Sequence, residues 1–418
     1  MTAPTTHDTT DATEPESRWR RRHPAPPAHP FFRYVFPLLL AGVAVVVLLL
    51  WLDGAKAVFD TTDGREIPVV DDPDEEGFLA FATPTPTQLV AHVDANDMLT
   101  GVTILARTSL DDGGSLVVYS PAMLLVFDER EPVILERLYA EEGIEALELA
   151  IGEYMGFGFT DEPMVTDTAR LAEFLKLVEP IPFSLVDPLV RVGDDGATEV
   201  VYEAGFAQFS GAELAEVFEW RNPTERDAGR FIRQLSIWEA WLAQVGEADD
   251  LIAATLPFNE GLPPYLRALG TGTAELALVP AEAVDFDEQN PFYALPLGQE
   301  SWPIDKGRDM VPVPIAWATG AWPTVQLLDG TGDATNRERF LPAVVATSVE
   351  ITVIGNARSF DLATTYVAYH DVVNEEAARQ VAEALGVDLV FEEDVDQPAE
   401  VTVTVGADSA DVLARLSE

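Results

Sequence analysis

GFAQFSGAELAEVFEWRNPTERDAGRFIRQ, residues Gly205 to Gln234, lays out two helices with a charged turn between them. Ser210 followed by Glu213 has the capping-box form, which starts a helix just ahead of Leu214 and Val217. Asn222-Pro223 stops it. Asp227 heads a second helix whose apolar stripe reads Phe231, Leu235, Trp238 and Leu242. Arg221 precedes this helix, and Arg230 and Arg233 fall in its first turns. Free backbone N–H groups and guanidinium forks aimed at one point suit a phosphate or pyrophosphate. The same arginines could instead bridge Glu219, Glu225 and Asp227 along a solvated face, because such pairs are common at helix starts.

Outward from this segment, composition narrows the choices. The chain has 418 residues, room for two or three domains, and a formal charge of −47 from 25 basic and 72 acidic residues. Only Lys56, Lys176 and Lys306 are lysines. Such a surface repels phosphate backbones, so nucleic acid is a poor partner, and an anionic ligand needs a local nest of arginines. With no cysteine, thiolate catalysis, disulfides and thiolate metal sites are excluded. The histidines, His7, His23, His29, His92 and His370, are too scattered for a metal triad.

Val35 to Leu52 runs for 18 positions without a charge, just long enough to span a bilayer core as a helix. Five arginines (18, 20, 21, 22 and 33) precede it and an acidic region follows. The positive-inside rule then puts residues 1–33 in the cytoplasm as a disordered tail, 34–52 in the membrane as a single-pass anchor, and the bulk outside. Ala55-Lys56-Ala57 has the form of a signal-peptidase site, the competing reading, but the preceding n-region is long for a signal peptide. Residues 53–84 read as an acidic stalk. Short strand patterns (LVAHV, GVTILA, SLVVYS) then alternate with helices at Ile144–Met155 and Thr168–Val178, which indicates an α/β fold. Residues 288–322 hold several prolines and little periodicity, as in a linker or an extension packed on the first domain. Beyond them come four strand patterns and a helix at Asn374–Leu385.

The layout of Gly205–Gln234 resembles the closing motif of the LytR-CpsA-Psr family, membrane enzymes that attach glycopolymers to peptidoglycan. Phe209, Gly211, Leu214, Arg221, Asp227, Gly229, Arg230, Arg233 and Gln234 match it. The C-terminal stretch resembles the LytR C-terminal domain, with Val325–Gly332 (VQLLDGTG) opening it and Val403–Asp408 (VTVGAD) closing it. The resemblance implies an α/β/α domain with a central mixed sheet over 85–287, and a small α/β domain over 323–410. It implies phosphotransfer from a polyprenyl-pyrophosphate-linked glycopolymer to peptidoglycan at the membrane. Arg221, Arg230, Arg233 and Gln234 would hold the pyrophosphate. Arg230, Asp227 and Asp97 would be catalytic, and Asp97 and Asp227 would bind a divalent cation such as Mg²⁺, for which oxygen ligands are suited; Asp97 could equally be an ordinary turn residue. The chain departs from the pattern where a family Arg-Asp pair is replaced by Ala122-Met123, and where the first arginine of an R-x-R pair is Glu219. Losing one positioned donor typically costs about 2.7–4 kcal/mol of barrier. The expected outcome is a transferase of reduced activity or a non-catalytic envelope binding, scaffold or regulatory protein on the same fold.

Overall fold

The computed structural model describes residues 70–107, 113–128, 130–193, 195–223, 225–247, 261–284, 292–393 and 397–417. The expected anchor at 34–52 lies outside the described residues, among which no helix is long and apolar enough to cross a membrane.

The first core is built on a mixed five-stranded sheet in the order Thr273–Leu278, Gly113–Tyr119, Leu99–Arg107, Thr87–Val93, Met164–Thr166. The three central strands are antiparallel neighbours, and both edge strands run parallel to their partners. These central strands are the three apolar runs read from the sequence. They are buried along almost their whole length, so they read as continuous hydrophobic stretches and not as alternating ones.

The helix Asp227–Glu247 buries Phe231, Ile237, Trp238, Trp241, Leu242 and Val245 in this core. Trp238 stacks edge-on against both Phe218 and Trp241, with ring centroids 6.2 and 6.0 Å away. Phe218 belongs to the helix Gly211–Glu219, which opens with the expected capping box: the Ser210 hydroxyl accepts from the Glu213 N–H, and the Glu213 carboxylate accepts from the Ser210 N–H. The space between sheet and helices is therefore filled by aromatic rings.

A second core lies around a six-stranded sheet in the order Leu79–Phe81, Glu350–Asn356, Thr324–Asp329, Val401–Val405, Tyr366–Tyr369, Asp388–Phe391. Its outermost strand comes from the far end of the chain, inside the segment read as an acidic stalk. Leu79–Phe81 pairs antiparallel with Val353–Gly355, and the Asn356 amide donates to the Pro73 and Glu75 carbonyls at 2.7 and 2.8 Å. The proline-rich stretch after 288 also has structure of its own. The helix Trp302–Met310 packs on Ile144–Met155, and Met310 and Val311 join the first core. Gly307 makes this possible, since a Cβ there would lie 2.1 Å from the Met155 carbonyl oxygen.

His92 is a buried imidazole facing Phe218 at 4.8 Å, with Nε2 2.9 Å from the Thr103 hydroxyl. Burial lowers its pKa to about 3. Between pH 6.5 and 3 the unfolded chain binds a proton at this position that the folded chain refuses, so stability falls as pH falls through that window. The contribution is about 1.4 kcal/mol per pH unit. In denaturant unfolding from pH 7 to 4, His92→Gln should show a shallower loss of stability than wild type by about that slope. Equal slopes would mean that the ring is protonated in the folded protein.

Candidate functional site

The turn between the helices Gly211–Glu219 and Asp227–Glu247 brings the predicted residues together, but in different roles. Asp227 is the first residue of its helix and is buried. Its Oδ1 lies 3.1 Å from Arg230 Nη2 and 3.5 Å from Arg221 Nε, with no donor aimed well enough for a hydrogen bond. One carboxylate thus sits between two guanidinium groups. Arg230 is almost enclosed, its side chain 10% exposed, whereas that of Arg221 is 42% exposed. Arg221 also donates to the Glu225 carbonyl at 3.4 Å.

Burial holds the Arg230 guanidinium below its ordinary range; Asp227 opposes that shift, and Arg221 and Arg233 add to it. Two glutamates feel the same cluster. Glu136, on the helix Leu135–Glu142, is pushed up by burial and then by Asp227, against the pull of Arg230, Arg221 and Arg137. Glu219 is pushed up by burial, while a 2.5 Å hydrogen bond from the Thr168 hydroxyl holds its charge. Nothing in the sequence around Glu136 ties it to this site; only the fold does.

Arg233 has structural partners, and Gln234 is corrected. Arg233 Nη1 pairs with Glu225 Oε1 at 2.6 Å, Nε donates to the Val217 carbonyl at 3.1 Å, and Nη2 donates to the Trp220 carbonyl. It fastens the unsatisfied carbonyl end of one helix to the start of the next, a use of cations at helix C-termini with general precedent. Gly229 leaves room for this, because a Cβ there would meet Glu225 Oε1 at 2.6 Å. Gln234 is fully buried, its amide donating to the Thr100 and Phe218 carbonyls at 3.1 and 3.3 Å, so it braces the sheet against the helix. Gln234 lies on the inward stripe that also carries Asp227 and Arg230, a helical period the apolar residues alone did not reveal, and Arg233 flanks it.

The backbone donors at the helix start are partly used. The Ala228 N–H donates to the Tyr293 hydroxyl at 3.1 Å and the Gly229 N–H to the Arg226 carbonyl at 3.0 Å. Tyr293 comes from the short strand Phe292–Ala294 and packs edge-on against Phe231; it carried no signal in the sequence. Its backbone N–H donates to the Ala122 carbonyl at 3.0 Å, so the Ala122-Met123 segment is core, with Met123 fully buried.

Asp97 sits in a tight turn closed by Asp94, whose Oδ1 accepts from the Asn96 and Met98 N–H groups at 2.8 and 3.0 Å. Asp97 has φ of 62°, and its carboxylate accepts from the Tyr139 hydroxyl at 3.3 Å. The two expected metal ligands do not fit a Mg²⁺ centre. Asp227 faces two cations, Asp97 is bound to a phenol, and among the described residues no three His, Asp or Glu side chains form a cluster able to hold a metal ion.

Beside the cluster runs a groove of about 460 Å³ between the strand Ile181–Leu185 and the helix Asp227–Glu247, lined by Phe183, Leu185, Val186 and Ile232. Asn222 and Gly229, chain neighbours of Arg221 and Arg230, also line it, together with Asp187 and the Glu225–Arg233 ion pair.

With this geometry in hand, the comparisons are specific about one part of the chain. Residues 323–408 match the family model described as the LytR cell envelope-related transcriptional attenuator, a stretch that carries the second core. No curated protein matches the chain in sequence. Among solved structures, the chain is similar to TagT of B. subtilis at 11% identity and TM-score 0.41, over 58% of this chain and 94% of that one. It is similar to the LytR-Csp2A-Psr enzyme from Actinomyces oris at 14% identity and TM-score 0.41, over 55% and 92%. A third is the LytR-CPS2A-psr family protein YwtF (TagT) with bound octaprenyl pyrophosphate lipid, at 9% identity and TM-score 0.39, over 58% and 93%.

Removing one partner of a buried ion pair is strongly destabilising, by about 3–5 kcal/mol. Arg233→Ala, which also strands the Val217 and Trp220 carbonyls, should lose stability of that order in denaturant titration. Arg221→Ala, half-exposed, should cost less than about 1 kcal/mol. Equal losses for the two would contradict the separate roles given to them here.

Proposed function

We propose that this chain is a cell-envelope assembly protein of the LytR-CpsA-Psr type that binds a polyprenyl-pyrophosphate-linked glycopolymer through Arg221 and Arg230, with transfer to peptidoglycan reduced or lost. The observation that carries the reading is the pair of guanidinium groups held 3.1 and 3.5 Å from one buried carboxylate at the head of a helix, beside a groove with an apolar wall. A pyrophosphate needs paired cations in a repulsive, strongly acidic field, and a prenyl chain needs an apolar wall. Phe183, Leu185, Val186 and Ile232 supply that wall. The reading puts the protein at the cell membrane, with residues 1–33 cytoplasmic and the bulk outside; the uncharged run Val35–Leu52 and the match of residues 323–408 support it.

Reduced turnover follows from what surrounds the arginines. Charge that develops on phosphoryl oxygens in the transition state must be met by positioned donors. Here Glu219 stands where the family has an arginine, Ala122 offers no charge, the Ala228 N–H is committed to Tyr293, and Arg233 is committed to Glu225. The site retains enough cationic character to bind but lacks the density of donors that transfer requires. No metal-dependent step is assigned, because the carboxylates present do not fit one.

Restoring the family pair at positions 122 and 123 is not a useful test, since both residues are buried and an arginine there would bring an unpaired charge into the core. A binding measurement is. With farnesyl pyrophosphate as probe, Arg230→Ala should weaken binding about ten- to a hundredfold, the loss of one charge-assisted hydrogen bond. Farnesol should bind far more weakly than the pyrophosphate to the wild type. Indistinguishable affinities for wild type and Arg230→Ala, with both folded, would remove the arginine pair from the ligand site.

A further inference from the structure

One wall of the groove beside the arginine cluster is made of backbone as well as side chains. Five successive residues, Phe183 to Asp187, line it. Side chains along a strand alternate between its two faces, so a cavity that touches five residues in a row runs along the strand's edge. That edge is open. Among the described residues the strand Ile181–Leu185 pairs with one other strand, the antiparallel Gly205–Phe209, in a two-stranded sheet.

Pro182 decides which backbone groups face the groove. The pairing runs unbroken from Ile181 opposite Phe209 to Leu185 opposite Gly205, with Pro182 opposite Gln208. In an antiparallel ladder alternate residues exchange both of their bonds with the residue across, and those between them turn both groups away. Proline has no N–H to exchange, so Pro182 occupies a position turned away from the partner strand. Ser184 has the same parity and therefore directs its N–H and its carbonyl outward, along the edge that lines the groove. Neither group has a hydrogen-bond partner among the described residues.

An unpaired strand edge beside an apolar wall selects a polypeptide, because another strand repeats N–H and C=O groups at the matching spacing. The side chains define the rest. Phe183, Leu185, Val186 and Ile232 offer apolar contacts, and Val186 and Ile232 stand 91% and 52% exposed. Gly229 and Ser236 keep the helix side of the groove low. Glu225 and Arg233 neutralise each other, which leaves the exposed Asp187 as the unpaired charge of the lining, on a chain of formal charge −47. At strand rise the wall is roughly 13 Å long, room for about four residues. We propose that this groove docks a segment of a partner polypeptide, added to the edge of Ile181–Leu185 as an extended strand with alternate apolar residues and a basic residue beside Asp187. The proposal does not rest on the pyrophosphate reading, although a seated strand covers the wall assigned there to the prenyl chain.

The test titrates the detergent-solubilised full chain by calorimetry with the peptide Lys-Val-Thr-Val-Thr-Lys, acetylated and amidated at its ends. Saturable binding is expected. Ser184→Pro removes the outward N–H and leaves the bonds to Gly205–Phe209 in place, as Pro182 does two residues earlier, so affinity should fall about tenfold. Ser184→Ala keeps the backbone and should bind as the wild type does. The same peptide with its four central amides N-methylated should bind about tenfold more weakly, and one with glutamate for both lysines about threefold more weakly. No saturable binding by the wild type overturns the proposal, as does equal affinity in a folded Ser184→Pro. If Ser184→Pro does not fold, the N-methylated peptide decides, and undiminished binding of it overturns the proposal. Equal affinity for the glutamate peptide overturns the basic partner. Self-association of the wild type that Ser184→Pro abolishes, without peptide binding, would assign the edge to a second copy of the chain and overturn it as well.

Discussion

The Asp227 carboxylate lies between Arg221 and Arg230, and the character of the candidate site follows from that placement. A carboxylate in the first helical turn is stabilised by the helix dipole and by both cations. In return it holds Arg230 inside the protein, where burial alone disfavours its charge. The cluster is thus cationic by only one unit across these three groups, and Glu136 and Glu219 nearby lower its field further. A site so balanced is suited to holding an anion loosely. It is poorly suited to absorbing the charge that a phosphoryl transfer develops.

The neighbouring positions show how an anion site becomes scaffold. Arg233 and Gln234 lie within a helical turn of Arg230, yet each closes hydrogen bonds that the turn and the sheet leave open. Glu225 makes the first of these possible and Gly101 the second, because a Cβ at 101 would meet the Gln234 amide oxygen at 2.6 Å. Tyr293 takes the Ala228 N–H that a phosphate would otherwise find. Three features of a phosphate cradle are therefore present in type but committed to folding.

Much of the architecture was legible because it depends on local rules. The capping box at Ser210 and Glu213, the helix Ile144–Met155 and the three buried central strands all follow from spacing and apolar runs over a few residues. The same holds for the C-terminal strands and the match over residues 323–408. What escaped were contacts between distant segments. Strand Leu79–Phe81 looks like acidic stalk because its edge position exposes Phe81 and Leu79, and only its pairing with Val353–Gly355 defines it. Helix Trp302–Met310 is short and proline-led, and its buried face of Pro303, Lys306, Gly307 and Met310 holds one large apolar residue, too few to show a periodic stripe. At the site, helical spacing put Arg230 and Arg233 at the head of one helix, but it could not say that Arg233 turns to Glu225 while Arg230 turns to Asp227.

The direct measurement of the central claim is the affinity of Asp227→Asn for inorganic pyrophosphate, compared with wild type by calorimetry at fixed salt. Asparagine keeps the shape and removes the charge that occupies both guanidinium groups. At a surface-like dielectric, one unit charge a few ångströms from the ligand contributes roughly 1 kcal/mol or more, so binding should tighten about fivefold or more even as the helix start loses stability. Affinity that is unchanged or weaker in a folded Asp227→Asn would mean that Asp227 does not restrain the arginines, and that the anion, if bound at all, is held elsewhere.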